Sequence, residues 1–247
     1  MNKMKKVCYW SPFISNVATI KAVINSALAI NKYSDQKFEP LIIDVFGEWK
    51  QNINNETYNL KFHSLNYIEN LFKFSSEGFF KSRLKYLTIF LISFLSLKRF
   101  LIKVKPEFLI IHLITSLPLL LNLIYKFDTK IILRISGKPQ MNFFRYMFWK
   151  IALKKVYKIT FPTVESLEYL KNLKLADESK FELLYDPVII VKDINKKKKE
   201  PIDNIDLKKN DYFLAIGRLT KQKNFLLLIK CFTIKVKEYS KIKLVII

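Results

Sequence analysis

At 247 residues, half of them hydrophobic and 15% aromatic, the chain can build a sizeable core, which excludes intrinsic disorder. Lys and Arg number 43 against 21 Asp and Glu, a net charge of +22, and imply an anionic partner such as phosphate, nucleic acid or acidic lipid. Cys8 and Cys231 stand far apart in predicted core elements and are expected to be buried free thiols; with His63 and His112 the only histidines, no metal-ligand spacing appears.

The amino terminus, MNKMKKVCYW, carries cations without the long apolar run of a signal peptide, so a reducing, cytoplasmic setting is expected. KKVCYW, residues 5–10, reads as a first strand and residues 11–16 as a turn. Val17 to Lys32 reads as a helix with Val17, Ile20, Val23, Ile24, Ala27 and Leu28 on one face. This strand–loop–helix succession marks a doubly wound α/β domain. The loop contains no glycine, but Ser15 offers a hydroxyl and Asn16 tolerates a left-handed backbone. Phe38 to Asp44 is the next strand, residues 47–59 a polar loop, and Leu60 to Ser64 another short strand. Residues 79–107 hold an apolar centre, Tyr86 to Leu97, between Lys85 and the pair Lys98 and Arg99. That centre falls short of the roughly 18–20 residues a spanning helix needs. A core helix and an interfacial helix on an acidic membrane both fit it.

Glu107 to His112 reads as a buried strand ending on His112, followed by Thr115 and Ser116. Ile131 to Ile135 is a further strand running into RISGKP, so Arg134, Ser136 and Gly137 stand at the carboxyl edge of the sheet, where open α/β sheets bind ligands. Residues 142–158, NFFRYMFWKIALKKVYK, interleave aromatic and basic side chains. A membrane interface, a stacking platform and a core helix with a solvated basic edge all account for them. No nucleic-acid motif accompanies them, so nucleic acid is not expected as a partner. A helix from Thr163 to Asn172 follows Pro162, and a strand from Phe181 to Leu184 runs into Tyr185-Asp186-Pro187-Val188. Residues 192–210 are charged and nearly free of apolar side chains, the composition of a solvated interdomain linker.

The last stretch, Asp211 to Ile247, reads as strand, turn, helix and strand. Gly217 breaks the apolar run Tyr212 to Ile216, Arg218 to Lys223 form a basic turn, and Asn224 stands where a helix N-cap belongs. Phe225 to Val236 keeps helical spacing, and Lys243 to Ile247 is the second strand. A turn at the carboxyl end of a strand, beside a helix N-terminus, is suited to anions, and Arg218 and Lys223 add two cations there. The expected organisation is a first domain over 1–190, a linker over 191–211, and the start of a second domain over 212–247.

Gly217, Arg218, Leu219, Lys223 and Asn224, in the spacing G-R-L-x-x-x-K-N, resemble the opening of the second domain in glycosyltransferase family 4, retaining, nucleotide-sugar-dependent enzymes of the GT-B fold. Arg134, Ser136, Gly137 and Pro139, with Phe161, Pro162 and Thr163 further on, resemble the branch of that family that builds capsules and lipopolysaccharide. The strand E-F-L-I-I-H ending on His112 is similar to one whose histidine lies near the donor phosphate and the acceptor. The resemblance implies a GT-B-like chain with one complete Rossmann-like acceptor domain and only the first βαβ unit of a nucleotide-sugar donor domain. It implies transfer of a sugar from a nucleotide-diphosphate sugar to a glycan or lipid-linked acceptor. Gly217, Arg218 and Lys223 would hold the donor diphosphate, His112 would be catalytic, and Ser15, Asn16, Arg134, Ser136 and Gly137 would line the acceptor side. No cofactor and no metal are implied, because Arg and Lys serve as counter-charge. The family's paired glutamates, seven residues apart, would fall after Ile247, so the chain by itself is expected not to turn over sugar. A non-catalytic, membrane-associated acceptor-binding half of a two-chain enzyme, or an inactive remnant, is the alternative. The charge of +22 adds an anionic membrane surface as a partner, on the inner face of the cytoplasmic membrane. Plainer roles stand beside these: a structural histidine at a strand end, an ion-pair partner in Arg134, a turn glycine in Gly137, and a solvated basic turn in Arg218 to Lys223.

Overall fold

The computed structural model describes residues 4–14, 18–49, 59–65, 79–201, 211–221, 223–236 and 242–247. The chain divides into two compact units, Met1–Val188 and Ile189–Ile247. In the first, seven strands form one sheet: β1 (Lys5–Trp10), β2 (Phe38–Asp44), β3 (Lys61–Ser64), β4 (Phe108–Ile111), β5 (Lys130–Arg134), β6 (Lys158–Phe161) and β7 (Phe181–Leu183). Their order is β3-β2-β1-β4-β5-β6-β7, and every pair is parallel. The chain winds outward from β1 in one direction and then, from β4, in the other, so β1 and β4 flank the switch point of a doubly wound sheet.

Parallel neighbours need crossovers, and here helices supply most of them: α1 (Thr19–Tyr33), α2 (Phe79–Val104), α3 (Ser116–Ile124), α4 (Phe143–Ala152) and α5 (Val164–Asn172). Because side chains alternate along a strand, β1 feeds two cores. Val7 and Tyr9 pack with Ile42, Trp49 and the α1 residues Val23, Ile24 and Ala27. Cys8 and Trp10 pack with Ile43, Leu109, Ile111, Leu133, Ile159 and Phe161 beneath the other helices. The Tyr9 hydroxyl and Ser26 Oγ, 2.8 Å apart, pin α1 to the sheet. Burial pushes the Cys8 thiol up to about 12, an inert buried thiol as expected.

Two elements lack a sequence signal. SLPLLLNLI of α3 is apolar almost all round, so no 3.6-residue stripe marks it, and its Pro118 sits in the first turn where proline is tolerated. β6 is four residues long and opens on a lysine. α4 is capped by Asn142, which accepts from Arg145 N, and it ends at Ala152, short of the full stretch 142–158. Helix α5 is capped by Thr163, which accepts from Ser166 N.

After β2 the chain tucks two carboxyl groups into the protein. Asp44 Oδ1 accepts from Gly47 N at 3.0 Å and from Trp49 N at 3.3 Å, and Glu48 accepts from Val45 N and Phe46 N. Gly47 adopts φ of 94°, a left-handed value that only glycine takes without cost. Burial, and then the neighbouring Asp44, hold the Glu48 carboxyl well above its ordinary value.

In the second unit β8 (Tyr212–Ala215) and β9 (Lys243–Ile246) pair in parallel across α7 (Phe225–Val236). None of the α7 side chains is buried, and Cys231 is exposed, not buried as the helical pattern implied. The reason is that a single helix on two strands covers too little surface. The expected linker also differs, because Val191–Lys197 forms a short exposed helix, α6. The rest of it, residues 202–210, lies outside the described residues.

The raised Glu48 proton affinity has a definite sign. The folded state binds that proton more tightly than the unfolded chain, so the stabilisation is full below about pH 4.5 and is lost as pH rises towards the raised value. Urea unfolding midpoints should fall from pH 5 to pH 8.5 in the native protein. Glu48→Gln should flatten that fall at a cost of about 1 kcal/mol at pH 5; an unchanged slope would refute the assignment.

Candidate functional site

The loops that leave the carboxyl ends of β1, β4 and β5 enclose a cleft of about 710 Å³. Pro12, Phe13 and Ile14 come from the first loop, His112 to Ser116 from the second, and Ile135, Ser136 and Pro139 from the third. Arg134 closes the floor, while Tyr86 of α2 and Arg145, Phe148 and Trp149 of α4 form the outer wall. Helix α3 begins at Ser116, which lines the same cleft with its N-cap residue Thr115.

His112 is the first residue past β4. Its backbone N–H donates to Trp10 O at 2.9 Å, which fixes it against β1, and its ring lies 6.2 Å from that of Tyr9. The ring is buried and its Nδ1 has no hydrogen-bond partner among the described residues. Burial, with a smaller contribution from the Arg134 charge, lowers its pKa to about 3, so the imidazole is neutral at physiological pH. A neutral ring with an unpartnered nitrogen at a cleft can accept or donate one hydrogen bond. It cannot supply positive charge to a phosphate.

The backbone beyond His112 is strained. Ile114, a β-branched residue, takes φ of 47°, and its carbonyl accepts from Trp10 Nε1 at 3.1 Å. Side chains of that type rarely occupy the left-handed region, and such positions collect at functional sites. The indole clamp holds the loop over the cleft in a conformation that the isolated sequence would avoid.

Arg134, the last residue of β5, is only 4% exposed. Its Nε and Nη2 donate to Asp186 Oδ1 at 3.1 and 2.6 Å, tying β5 to the segment after β7. Nη1 has no partner among the described residues. The pair is therefore both a structural tie and a source of one uncommitted donor at the sheet edge. Arg134 and His112 also border a second hollow, of about 330 Å³, on the α1 side of the sheet, with Ser26, Thr160 and Tyr185.

Three of the residues expected from sequence, His112, Arg134 and Ser136, thus meet in the first unit. Gly137 is exposed beside them, and a Cβ there would meet nothing within 4 Å, so its loop does not require glycine for space. Ser15 and Asn16 lie outside the described residues. Arg145 was not marked in the sequence as a lining group; its Nη1 donates to Gln140 O at 2.7 Å, a contact across the loop before α4. Ser11, also in the loop after β1, has a buried Oγ with no partner among the described residues, but it does not line the cleft.

In the second unit Gly217, at the end of β8, has φ of 159°, and its N–H donates to Ile247 O at 2.9 Å. The Lys223 stem folds back over it, with three methylene carbons 3.5 Å from where a Cβ would stand. Asn224 opens α7: its carbonyl accepts from Leu227 N and Leu228 N, as an N-cap residue's does, although its φ of 48° is left-handed. Arg218 and Lys223 are exposed and pair with no carboxylate among the described residues. They do not line the nearby hollow of about 480 Å³, which is walled by Leu219, Phe225, Leu226 and Ile229 with polar neighbours. Among the described residues no group of three or more His, Cys, Asp or Glu comes together.

No protein-family model matches the sequence, and no curated protein matches it. Solved structures do match its fold. A Listeria monocytogenes protein named as a UDP-N-acetylglucosamine 2-epimerase aligns over 100% of this chain and 62% of its own, with a TM-score of 0.61 at 13% identity. A UDP-GlcNAc 2-epimerase from Neisseria meningitidis, bound to UDP-GlcNAc, aligns over 98% and 65%, with a TM-score of 0.59 at 13% identity. A glycosyltransferase from Rickettsia africae aligns over 100% and 69%, with a TM-score of 0.53 at 15% identity. The fold is α/β, with a parallel seven-stranded sheet of the Rossmann-like GT-B kind, and the chain spans about two thirds of the length of these structures or less.

Two measurements check the first unit's site. The chain's two histidines should give two imidazole signals by NMR, with His112 still neutral at pH 5; a titration near 6.5 would mean that the ring is solvated. Arg134→Ala leaves Asp186 without its partner. Asp186 is about a quarter exposed, so the cost should be about 2–3 kcal/mol of unfolding free energy, below the full figure for a buried pair.

Proposed function

We propose that the chain forms the acceptor-binding domain and the opening of the donor domain of a GT-B glycosyltransferase. It would move a sugar from a nucleotide-diphosphate sugar to a glycan or lipid-linked acceptor in cell-surface polysaccharide synthesis, with retention at the anomeric carbon. The observation that carries this reading is the cleft at the switch point, where a neutral, unpartnered imidazole stands beside a buried arginine. The fold likeness to sugar-nucleotide proteins, one of them bound to UDP-GlcNAc, supports it.

In this reading Arg218 and Lys223 grip the donor diphosphate with the help of backbone at Gly217 and the N-terminus of α7. Their charge opposes the charge that builds on the leaving phosphate, which is the kind of preorganised electrostatics that lowers such barriers. No metal is then required. His112 meets an acceptor hydroxyl as a neutral hydrogen-bond partner, and Ser136 and the free Nη1 of Arg134 orient the acceptor. Gly137 belongs to the same side, and Ser15 and Asn16 are assigned to it from the sequence alone. A lipid-linked acceptor would bring this unit to an anionic membrane on the cytoplasmic side.

A second reading, nucleotide-sugar 2-epimerisation, draws on the names of two of the similar structures. The two differ in a simple way, because an epimerase needs no acceptor. Conversion of UDP-GlcNAc alone to its 2-epimer would favour the second reading over the first.

The donor assignment is tested by calorimetric titration with UDP. A charge-assisted hydrogen bond to phosphate is worth about 1.5–3 kcal/mol, so Arg218→Ala and Lys223→Ala should each weaken binding by about 10–100-fold. Arg218→Lys should recover only part, since an ammonium cannot reproduce the guanidinium fork. Unchanged affinity in both alanine variants would leave a solvated basic turn and overturn the reading.

A further inference from the structure

We propose that the outer faces of α2 and α4 form one docking surface for an anionic phospholipid bilayer, seated among the headgroups without crossing them. Leu84, Leu87, Leu91, Leu95 and Ile102 recur along α2 at helical spacing, and each is more than half exposed. They lie opposite Ile89, Ser93, Leu97 and Phe100, which are buried against the sheet, so the apolar stripe points away from the protein. Helix α4 repeats the arrangement: Phe143, Phe144, Met147 and Ile151 are exposed opposite the buried Trp149. Phe143 and Phe144 are 73% and 82% exposed, an unusual placement for two large aromatic rings on one helix turn. Helix α2 packs on α3 and α3 on α4, so both stripes belong to the same outer layer.

Charge identifies the occupant. The α2 region, residues 79–106, contains no Asp or Glu, and neither does the stretch 129–164 that carries α4. Lys98 and Arg99 flank the α2 stripe, Lys85 and Lys103 lie further round that helix, and Lys150 and Lys154 accompany the α4 stripe. Lys98 is held over the Tyr125 ring, 3.9 Å from its centroid, at the edge of the surface. Apolar stripes with basic flanks and no acidic residue match an acidic bilayer, whose surface takes up cations and whose acyl boundary takes up leucine and phenylalanine. A second copy of this chain would set cation against cation, since neither helix carries a carboxylate to answer them. A nucleic acid would leave the leucine stripe uncovered. No described helix is long and apolar enough to cross a membrane, in keeping with docking at the interface.

The consequence concerns the cleft. Tyr86 of α2 and Arg145 and Phe148 of α4 line it, so docking on these helices brings its mouth to the headgroups, within reach of a lipid-linked acceptor. This consequence rests on the transferase reading, whereas the docking itself does not.

The test is flotation of the purified chain with phosphatidylcholine vesicles, with and without phosphatidylglycerol. The expected result is binding that needs phosphatidylglycerol and weakens as salt rises. Leu91→Glu with Leu95→Glu should lower partitioning by at least about tenfold, with the far-UV circular dichroism and the affinity for UDP unchanged. Phe144→Ser, on the other helix, gives an independent check and should lower it as well. Flotation of all variants at the native level would overturn the proposal, and so would equal binding to phosphatidylcholine alone. A dimer in sedimentation that the leucine variants dissociate would overturn it in favour of a second copy. Because UDP binding is read on the same samples, failure of docking and failure of the nucleotide-sugar reading are separable: vesicle binding would survive Arg218→Ala, and UDP binding would survive the leucine changes.

Discussion

Parallel strands cannot be joined by a tight turn; the chain must cross over one face of the sheet before it can lie beside itself again. That constraint organises the first unit. It requires cover on both faces, which makes the strands apolar on both sides and splits the core into the Tyr9 side and the Trp10 side. It also brings the outgoing loops after β1, β4 and β5 to one edge. Where the order of strands reverses, between β1 and β4, two loops part and leave room, and the cleft with His112 occupies that gap.

Polar groups buried near that edge are costly unless paired, and the protein meets the cost unevenly. Arg134 spends two donors on Asp186, and Asp44 and Glu48 take up backbone N–H groups of their own turn. His112 Nδ1 and Arg134 Nη1 are left without protein partners among the described residues, side by side on the cleft. Asp44 Oδ2, Trp49 Nε1 and Thr129 Oγ1 are buried without partners among the described residues as well, so an open polar atom is not peculiar to the cleft; what sets His112 and Arg134 apart is that both line it. The strained Ile114, clamped by Trp10, belongs to the same pattern, since rigid support from β1 maintains a loop shape that local preference disfavours.

The positive charge is not spread evenly either. Near the sheet's opposite edge Glu107 accepts from Lys130 at 3.0 Å and lies 3.4 Å from Lys5, and Lys158 pairs with Glu182, so cations there are matched. The outer helices α2 and α4 carry cations and no Asp or Glu of their own. On these two helices cations lie beside exposed apolar side chains, and the two features together describe a surface suited to a partner both acidic and greasy.

The sequence by itself determined the element types. Short continuous apolar runs bounded by turns placed β1, β2, β4 and β5 within a residue or two, and the G-R-L-x-x-x-K-N spacing located the turn between β8 and α7, because these signals are local and read from backbone preference and hydrophobic spacing alone. Helix α3 and strand β6 were not legible, the one apolar all round and the other too short for a period to show. Tertiary structure alone decided which residues meet. Asp186, fifty-two positions after Arg134, becomes its partner only when β7 is laid at the sheet's edge. The two faces of α2, both apolar in sequence, were told apart only when one of them was pressed against the sheet. His112 stood out in sequence by type and place, but its neutrality and its open nitrogen come from the side chains packed around it. Burial and long-range contact are properties of the folded chain, and no pattern of neighbours along the sequence encodes them.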